Sequence, residues 1–424
     1  MPSVQFSDLN LLPSIQKTLS RIGYATPTPI QAQTIPLVLT GRDVLGIAQT
    51  GTGKTAAFCL PMIQSLAQKQ MRPESKFTRA LILTPTRELA IQIHQNLEVY
   101  GEGLGQRYAV IFGGVSQGRQ VAQLKKGVDI LVATPGRLLD LIDQGYAKLN
   151  RVEVFVLDEA DRMLDMGFMR DIKKILPLLP KNRHNLFFSA TMPPEIKSLA
   201  DNILVEPKTV EVTPPATTVA RISQRVMFVD KKDKINLLIH LLKNKKDQKT
   251  LVFVEMKHVA NRVTEKLEAS GIHAVAIHGN KTQGARQRAI QDFTNDKVRV
   301  MVATDIASRG IDIDGITHVI NFELSNIAES YVHRIGRTAR AGADGEAISL
   351  VTADEKSYLA NVEKVTQQTI PVDKEQPYHS QVAADSQVVK VGKAKKKIEN
   401  QRKSQGRPRP ASKKKTKKRS FRRH

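Results

Sequence analysis

Several residue types are scarce in this chain, and each scarcity excludes a class of protein. The single cysteine, Cys59, stands inside an apolar segment, which excludes an internal disulfide and fits a reducing compartment. No run of about eighteen apolar residues occurs, so no membrane span is predicted. Residues 1–8 lack a basic stretch followed by an apolar one, so no signal peptide is expected and a cytoplasmic location is predicted.

Aromatic residues are also few, at 5% of the chain with no tryptophan, and no aromatic platform for stacking on nucleobases is evident. The remaining composition is that of a globular protein, with 41% hydrophobic and 25% charged residues. A length of 424 residues predicts two or three domains.

Positive charge is concentrated at the C-terminal end. Residues 390–424 contain seventeen Lys and Arg and one acid, Glu399, so they carry sixteen of the net +24 charges. Such a low-complexity composition cannot build a core, and residues 366–424 are predicted to form a disordered tail, polar at first and then basic. A basic run of this kind is either simply solvated or attracts phosphate groups.

Short apolar runs alternate with helix-length segments in the first half of the chain. This alternation predicts an α/β fold with a mostly parallel sheet, helices on its faces and right-handed crossovers. The runs are residues 44–47, 80–84, 109–112, 129–132, 154–157 and 185–188.

A glycine-rich turn follows the first run. Residues 48–55 read Ala-Gln-Thr-Gly-Thr-Gly-Lys-Thr, and a strand, a turn and a helix in this order are what a phosphate-binding loop requires. Its glycines let backbone N–H groups approach phosphate oxygens, Lys54 would reach the β- and γ-phosphates, and Thr55 would bind Mg²⁺. The predicted nucleotide contacts are Ala48, Gln49, Thr50, Gly51, Thr52, Gly53, Lys54 and Thr55.

Three acids follow the run 154–157. Asp158, Glu159 and Asp161 would lie at the carboxyl edge of the sheet, where open α/β sheets bind ligands. By themselves they fit an acidic turn that caps a helix at Arg162. Beside a phosphate-binding loop they fit nucleotide hydrolysis, with Asp158 holding the metal through water and Glu159 orienting and deprotonating the attacking water. Nucleoside triphosphate hydrolysis is therefore predicted.

Together, the Asp-Glu-Ala-Asp of residues 158–161 and the loop at 48–55 resemble the DEAD-box family of ATP-dependent RNA helicases. The resemblance covers about residues 6–359. It implies two tandem RecA-like parallel-sheet domains that use ATP and Mg²⁺ and bind RNA. A compact core with a short basic tail is most similar to the bacterial RhlE-type branch.

Residues 23–31, Gly-Tyr-Ala-Thr-Pro-Thr-Pro-Ile-Gln, resemble the adenine-sensing segment of the family. The resemblance implies that Gln31 pairs with the adenine edge, that Tyr24 stacks on the base and that Thr26 contacts it through its backbone. Without the resemblance, the segment fits a proline-rich turn between helices.

Other segments at predicted strand ends match the RNA-contacting motifs of the family. Predicted helix starts present N–H groups that favour phosphate, although helix capping and internal salt bridges would explain the same residues. The implied RNA contacts in the first half are Arg87, Gly114, Thr134 and Arg137.

Residues 189–191, Ser-Ala-Thr, resemble the element that couples hydrolysis to domain movement. The hydroxyls of Ser189 and Thr191 would either hydrogen-bond Asp161 or cap the helix that begins near Pro193.

Three prolines interrupt the pattern between residues 206 and 218, which predicts a first domain of residues 1–207, a linker of 208–220 and a second domain of 221–365. The second domain has no phosphate-binding loop and should contribute to a shared site. Its apolar runs are residues 225–229, 250–254, 274–277, 298–302, 318–321 and 347–351.

The segment His-Arg-Ile-Gly-Arg-Thr-Ala-Arg, which begins at His333, gathers four ionisable cations that are costly to hold together without anions. The resemblance makes Arg337 and Arg340 arginine fingers for the γ-phosphate, and places His333 and Arg334 at the domain interface. The alternative is a solvated basic helix face. The family usually has Gly where Ala339 stands, and a methyl is tolerated there unless the backbone has positive φ.

The resemblance implies further contacts in the second domain. Asp312 would accept a hydrogen bond from the ribose, and Arg309 would support the nucleotide side of the interface. The implied RNA contacts are Gln283, Arg286, Thr304 and Gly310.

The predicted function is RNA-stimulated ATP hydrolysis coupled to local RNA unwinding or ribonucleoprotein remodelling, with weak sequence preference. A monomer without membrane association is expected, working with ribonucleoprotein or RNA-decay partners in ribosome assembly or RNA processing. Two other functions stay open. A non-catalytic ATP-gated RNA clamp or chaperone need not keep Glu159, Arg337 and Arg340, and a DNA-directed translocase would be stimulated by DNA.

Overall fold

The computed structural model describes residues 4–49, 51–69, 71–212, 221–243, 248–308, 313, 315–339 and 344–386. Five residues with expected roles lie outside these ranges, as does the basic tail from residue 387 onward. The five are Thr50, Arg309, Gly310, Asp312 and Arg340.

Seven parallel strands form the first sheet, in the order β3-β4-β2-β5-β6-β1-β7. They are β1 (Val44–Ala48), β2 (Thr78–Leu83), β3 (Tyr108–Ile111), β4 (Val128–Ala133), β5 (Val154–Leu157), β6 (His184–Ser189) and β7 (Lys208–Val212). β2, β4 and β5 are buried at every position, as expected for central strands covered on both faces.

Helices cover both faces of this sheet, and each face has its own apolar core. On one face lie α1 (Pro13–Arg21), α2 (Pro29–Leu39), α3 (Lys54–Gln68) and α4 (Arg87–Tyr100). On the other face lie α5 (Gly118–Leu124), α6 (Pro135–Asp143), α7 (Ala160–Asp165), α8 (Met169–Ile175) and α9 (Pro194–Ile203). Short 3-10 turns occupy Phe6–Leu9 and Leu176–Leu178.

The second sheet has six parallel strands in the order β10-β11-β9-β12-β13-β8. They are β8 (Ile222–Phe228), β9 (Thr250–Val254), β10 (Ala274–Ile277), β11 (Val300–Thr304), β12 (His318–Asn321) and β13 (Gly345–Val351). All the strands expected from sequence are present. The largest offset is at the start of β8, which begins three residues before the expected run 225–229, and β11 lies two residues after the expected run 298–302.

Helices also flank the second sheet, with a 3-10 turn at Ala353–Glu355. They are α10 (Lys234–Lys243), α11 (Lys257–Ala269), α12 (Gln283–Thr294), α13 (Asp305–Ser308), α14 (Ala328–Ile335), α15 (Lys356–Thr366) and α16 (Gln381–Asp385). The two expected RecA-like parallel-sheet units are therefore confirmed.

The first unit extends beyond the boundary expected at residue 207. Lys208–Val212 forms β7, which pairs in parallel with β1 along its whole length and buries Val210. Residues 208–212 thus belong to the first sheet and not to the linker. The prolines at 214 and 215 hid this strand because they follow it so closely.

The second unit extends beyond residue 365. Asp373 N donates to Val226 O (2.8 Å) and Ser380 N donates to Phe228 O (3.0 Å), so the segment from 370 to 386 covers the outer edge of β8. Ile370 and Ala383 are buried against the same core. The start of the expected disordered tail is therefore wrong by about twenty residues, because its few apolar side chains are spaced too irregularly to predict a strand or helix.

Among the described residues, no helix is long and apolar enough to cross a membrane.

Candidate active site

One cavity of about 570 Å³ opens at the carboxyl end of the first sheet. Lys54 and Thr55 of the glycine-rich loop and the carboxylates of Asp158 and Glu159 line it. Arg337 of the second unit lines the same cavity. The fold thus brings the expected loop, acids and arginine finger to one place.

The glycine-rich loop has the conformation that phosphate binding requires. Gly51 (φ 83°) and Gly53 (φ 94°) both have left-handed backbones, and α3 begins at the next residue. The Thr52 hydroxyl donates to Gln49 O (2.8 Å), which closes the turn. The residues at the start of α3 line the cavity, and N–H groups at a helix start have no acceptor within the helix, so they can bind phosphate oxygens.

The Lys54 ammonium lies in the curve of this loop. Its Nζ donates to Ala48 O (2.7 Å) and Gln49 O (2.9 Å), and the side chain is buried. Burial lowers the pKa of Lys54, while the nearby Asp158 and Glu159 carboxylates oppose that shift. The ammonium is therefore placed between the loop and the acids.

The Asp158 carboxylate is strongly perturbed. Burial, followed by the neighbouring Glu159 carboxylate, raises the pKa of Asp158 to about 7, while Lys54 opposes the shift. Two buried carboxylates at one strand end need a cation. The Thr55 hydroxyl and the Asp158 carboxylate on one cavity wall are the oxygen donors that Mg²⁺ accepts when phosphates supply the rest, so the residues fit this metal.

Glu159 adopts an uncommon backbone conformation. Its φ is 53°, in the left-handed region, where the chain turns from β5 into α7. Arg162 Nη1 donates to Glu159 Oε2, and both side chains are buried. The acid expected to act as base is therefore held in place by an arginine one helical turn further on.

Gln31 connects the adenine-sensing segment to the glycine-rich loop. Its Oε1 accepts from Thr28 N (2.9 Å) and its Nε2 donates to Gly53 O (3.1 Å). A Cβ atom on Gly53 would collide with Gln31 Nε2, so this close approach requires glycine. Gln31 also lines the cavity, and its expected pairing with adenine remains a prediction.

Tyr24 stands among aromatic rings at the cavity wall. Its ring stacks on Phe6, with centroids 6.0 Å apart, and is tilted against Tyr100 at 6.4 Å. Thr26 lines the same wall, and its hydroxyl donates to Gln5 Oε1 (3.5 Å).

The coupling residues form a compact network. Asp161 Oδ2 accepts from both the N–H and the hydroxyl of Thr191 (2.9 Å each), and Asp161 N donates to Ser189 Oγ (3.2 Å). Of the two expectations for these hydroxyls, the bond to Asp161 is the one observed for Thr191. His333 of the second unit lines a small cavity with Asp161 and Lys54.

Two arginines expected to bind RNA lie close together in the first unit. Arg87 packs over Gly114 (φ 78°), where a Cβ would collide with its guanidinium. Arg137 donates to Gln120 Oε1 (3.3 Å) and Val115 O (3.2 Å). Protein contacts therefore orient both guanidinium groups beside the strand ends.

The expected threonines also lie at strand ends. Thr134 follows β4 as the N-terminal cap position of α6, and its N–H donates to Ile111 O (3.0 Å). Thr304 is the last residue of β11 and is largely buried.

Gln283 and Arg286 meet the first unit directly. Arg286 Nη2 lies 3.0 Å from Glu88 Oε1, and Gln283 Nε2 donates to the same oxygen (3.2 Å). Burial lowers the pKa of Arg87, and the charge of Arg286 lowers it further. Cationic residues of both units thus converge beside Glu88, a residue that received no role from sequence.

In the basic segment, Arg334 pairs within its own unit and Ala339 has a strained backbone. Arg334 was expected at the domain interface, but its guanidinium donates to Asp305 (2.6 and 2.7 Å), Asn321 and Glu323 O within the second unit. Ala339 has φ 56°, the condition under which the methyl group is unfavourable.

Sequence reasoning also missed one wall of the cavity. Gln92, Gln95, Asn96 and Tyr100 of α4 line it. The signal was present, because residues 89, 92, 96 and 100 recur at helical spacing on one face.

Known families match both units. Residues 28–199 match the family described as DEAD/DEAH box helicase, and residues 233–342 match the helicase conserved C-terminal domain. The chain is 42% identical to a DEAD-box ATP-dependent RNA helicase CshA of Bacillus subtilis over 91% of this chain and 77% of that protein. It is 43% identical to an ATP-dependent RNA helicase CshA of Listeria monocytogenes, over 85% of this chain and 69% of that protein.

Solved structures are similar across both units. Dbp5 of S. cerevisiae bound to RNA and ADP BeF3 is 30% identical with a TM-score of 0.76, over 87% of this chain and 95% of that chain. Mss116p bound to single-stranded RNA and AMP-PNP is 27% identical with a TM-score of 0.78, over 90% of this chain and 81% of that chain.

Proposed function

The chain belongs to the DEAD-box family of ATP-dependent RNA helicases, which are ATP-hydrolysing enzymes, and we propose how its own residues divide this activity. The observation that carries the proposal is the position of Arg337, which the second unit places on the wall of the cavity that holds Lys54, Asp158 and Glu159. The site is complete only when the two units meet.

Each residue has a role that its position supports. Lys54 and the N–H groups at the start of α3 bind the phosphates, and Gln31 and Tyr24 hold the base. Glu159 orients the attacking water and accepts its proton, and Arg337 stabilises charge on the transferred phosphoryl group. Thr55 and Asp158 would hold Mg²⁺, which supplies neutralising charge to the phosphate oxygens when bound.

RNA binding and hydrolysis are linked through the same interface. Arg87 and Arg137 of the first unit carry positive charge suited to a sugar-phosphate backbone, and the buried Arg286 of the second unit lies beside Arg87 in its ion pair with Glu88. RNA that contacts both units favours the arrangement in which Arg337 reaches the nucleotide. Recognition through the backbone implies weak sequence preference.

Finer assignments rest on sequence alone. We propose a monomeric, cytoplasmic enzyme that works on ribonucleoprotein or RNA-decay assemblies and uses its basic tail as a phosphate tether. The RhlE-type placement rests on the compact core and the short tail, whereas relatives with 42 to 44% identity are named CshA.

The test compares ATP hydrolysis stimulated by matched RNA and DNA strands, together with unwinding of a short RNA duplex. RNA should stimulate ATP hydrolysis and the matched DNA should not, and unwinding of the RNA duplex should require ATP. Stimulation by DNA to the same extent would favour a DNA translocase.

Glu159→Gln tests the assignment of the base. The variant should bind ATP and RNA like the parent protein but lose turnover by about 100-fold or more. Exposed Glu195→Gln is the matched control and should retain turnover. Normal RNA-stimulated hydrolysis in Glu159→Gln would contradict the assignment, and a parent protein without any hydrolysis would identify an RNA clamp.

A further inference from the structure

Arg162 occupies a position that no role assigned so far explains. It stands on α7, one helical turn after Glu159, and its guanidinium donates to the Glu159 carboxylate. The exposed fractions of the two side chains are only 8% and 7%. A buried arginine and a buried carboxylate are retained together only when each compensates the charge of the other.

The backbone around Glu159 restricts the carboxylate further. Glu159 has a left-handed conformation, and its N–H donates to Asp158 Oδ1 (2.9 Å). The backbone conformation therefore fixes the direction in which the Glu159 side chain leaves the main chain, and Arg162 fixes the position of its carboxylate. The guanidinium engages Oε2, so Oε1 is the oxygen available to approach an attacking water.

Arg162 also contacts the coupling network. Its backbone N–H donates to Asp161 Oδ1 (3.0 Å), and the other oxygen of Asp161 accepts from Thr191. Arg162 and Glu159 line a cavity of about 20 Å³, large enough for one water molecule, that also includes His333 of the second unit. One residue thus touches the expected base through its side chain and the coupling carboxylate through its backbone.

We propose that Arg162 is a positioning residue that orients the Glu159 carboxylate for proton abstraction and links its orientation to the Asp161–Thr191 network. The inference rests on the proposed role of Glu159. A general base works only when a further group holds it at the correct angle, and a misplacement of about 1 Å reduces the rate by about 100-fold.

Arg162→Gln and Arg162→Lys test the proposal through steady-state hydrolysis at saturating RNA. In Arg162→Gln, kcat should fall about 10- to 100-fold, with KM for ATP and the affinity for labelled single-stranded RNA within twofold of the parent. Arg162→Lys keeps the charge but not the guanidinium geometry, and its kcat should fall about 3- to 10-fold. Parental kcat in either variant would overturn the proposal.

The matched control is Arg79→Gln. Arg79 is a buried arginine of the same unit that pairs with Glu153 (2.7 Å) and Asp129 (3.2 Å) near the amino ends of the strands. Its loss should lower the unfolding temperature and leave kcat near the parental value. An equal fall in kcat for Arg79→Gln would show that Arg162 acts only through stability, which would also overturn the proposal.

Thermal unfolding of the nucleotide-free protein gives a readout that does not depend on activity. Arg162→Gln leaves Glu159 without its partner and should lower the unfolding temperature by about 5 to 10 °C. The double variant E159Q/R162Q should recover part of this loss because both charges are gone. If the two substitutions lowered the unfolding temperature additively, the pairing of Arg162 with Glu159 would be contradicted. Normal turnover in the single variant E159Q would instead refute the role of Glu159 as base. Failure of the proposed function and failure of the Arg162 proposal therefore give different results.

Discussion

Glu88 and Arg286 form an ion pair of 3.0 Å between the two α/β units, and both side chains are more than nine-tenths buried. Gln283, 195 positions from Glu88 in sequence, donates to the same carboxylate oxygen. A single acid of the first unit therefore holds two residues of the second that were expected to bind RNA.

Glu88→Gln should weaken the affinity for single-stranded RNA in the presence of ADP BeF3 by about 10- to 100-fold, or about 1.4 to 2.8 kcal/mol. The loss arises because Arg286 keeps a buried charge without its partner when the units meet. RNA affinity without nucleotide should change little. Fluorescence anisotropy of a labelled strand measures both.

Glu98→Gln on the same helix is the control for this change. Glu98 is exposed, and within the part of the chain that the structure describes its partner is His94, at 3.6 Å. An equal loss in both variants, or none in Glu88→Gln, would mean that the ion pair does not hold the units together.

Ala339 should tolerate glycine but not valine. Its left-handed backbone costs about 1 kcal/mol with a methyl group present, and glycine removes that strain while giving up a similar amount of apolar burial and chain entropy. Ala339→Gly should therefore keep hydrolysis within about twofold. Ala339→Val places a β-branched side chain there and should reduce RNA-stimulated hydrolysis by about tenfold or more through displacement of Arg337. Parental activity in the valine variant would argue against this constraint.

Removal of the residues after Gln387 should weaken RNA binding and reduce its salt dependence. For single-stranded RNA, the slope of log affinity against log salt should decrease by about 0.7 for each phosphate that the tail no longer neutralises. The control is a full-length chain in which the Lys and Arg of residues 390–424 are replaced by Gln, which keeps the length and removes the charge. Unchanged affinity at low and high salt in both variants would show that the tail is only solvated.

Sequence reasoning succeeded where the chemistry is local. The glycine-rich loop and the acids at residues 158–161 each follow a strongly apolar strand, and the parallel sheet then places both at one edge. The sequence also predicted that a segment more than a hundred residues further on would complete the site, and Arg337 lines the cavity.

Side-chain pairing across the two units was not predictable in the same way. Gln283 and Arg286 were expected to contact RNA and Glu88 had no expected role, and nothing in the spacing of these residues reveals that they meet each other. The resemblance implied an interface position for Arg334, and nothing in the spacing of the basic segment revealed that Asp305 compensates its charge within the second unit. Which charged side chains pair with each other depends on distances in the folded protein, and sequence patterns do not give those distances.

The segment that follows α15 also determines where this chain can be cut. β8 is an edge strand of the second sheet, and residues 371–380 form hydrogen bonds with its outer edge. A fragment that ended at residue 365 would leave those backbone groups open to a strand from a neighbouring molecule, and self-association would follow. A fragment that ends at Ser386 keeps the hydrogen bonds that residues 371–380 make to β8.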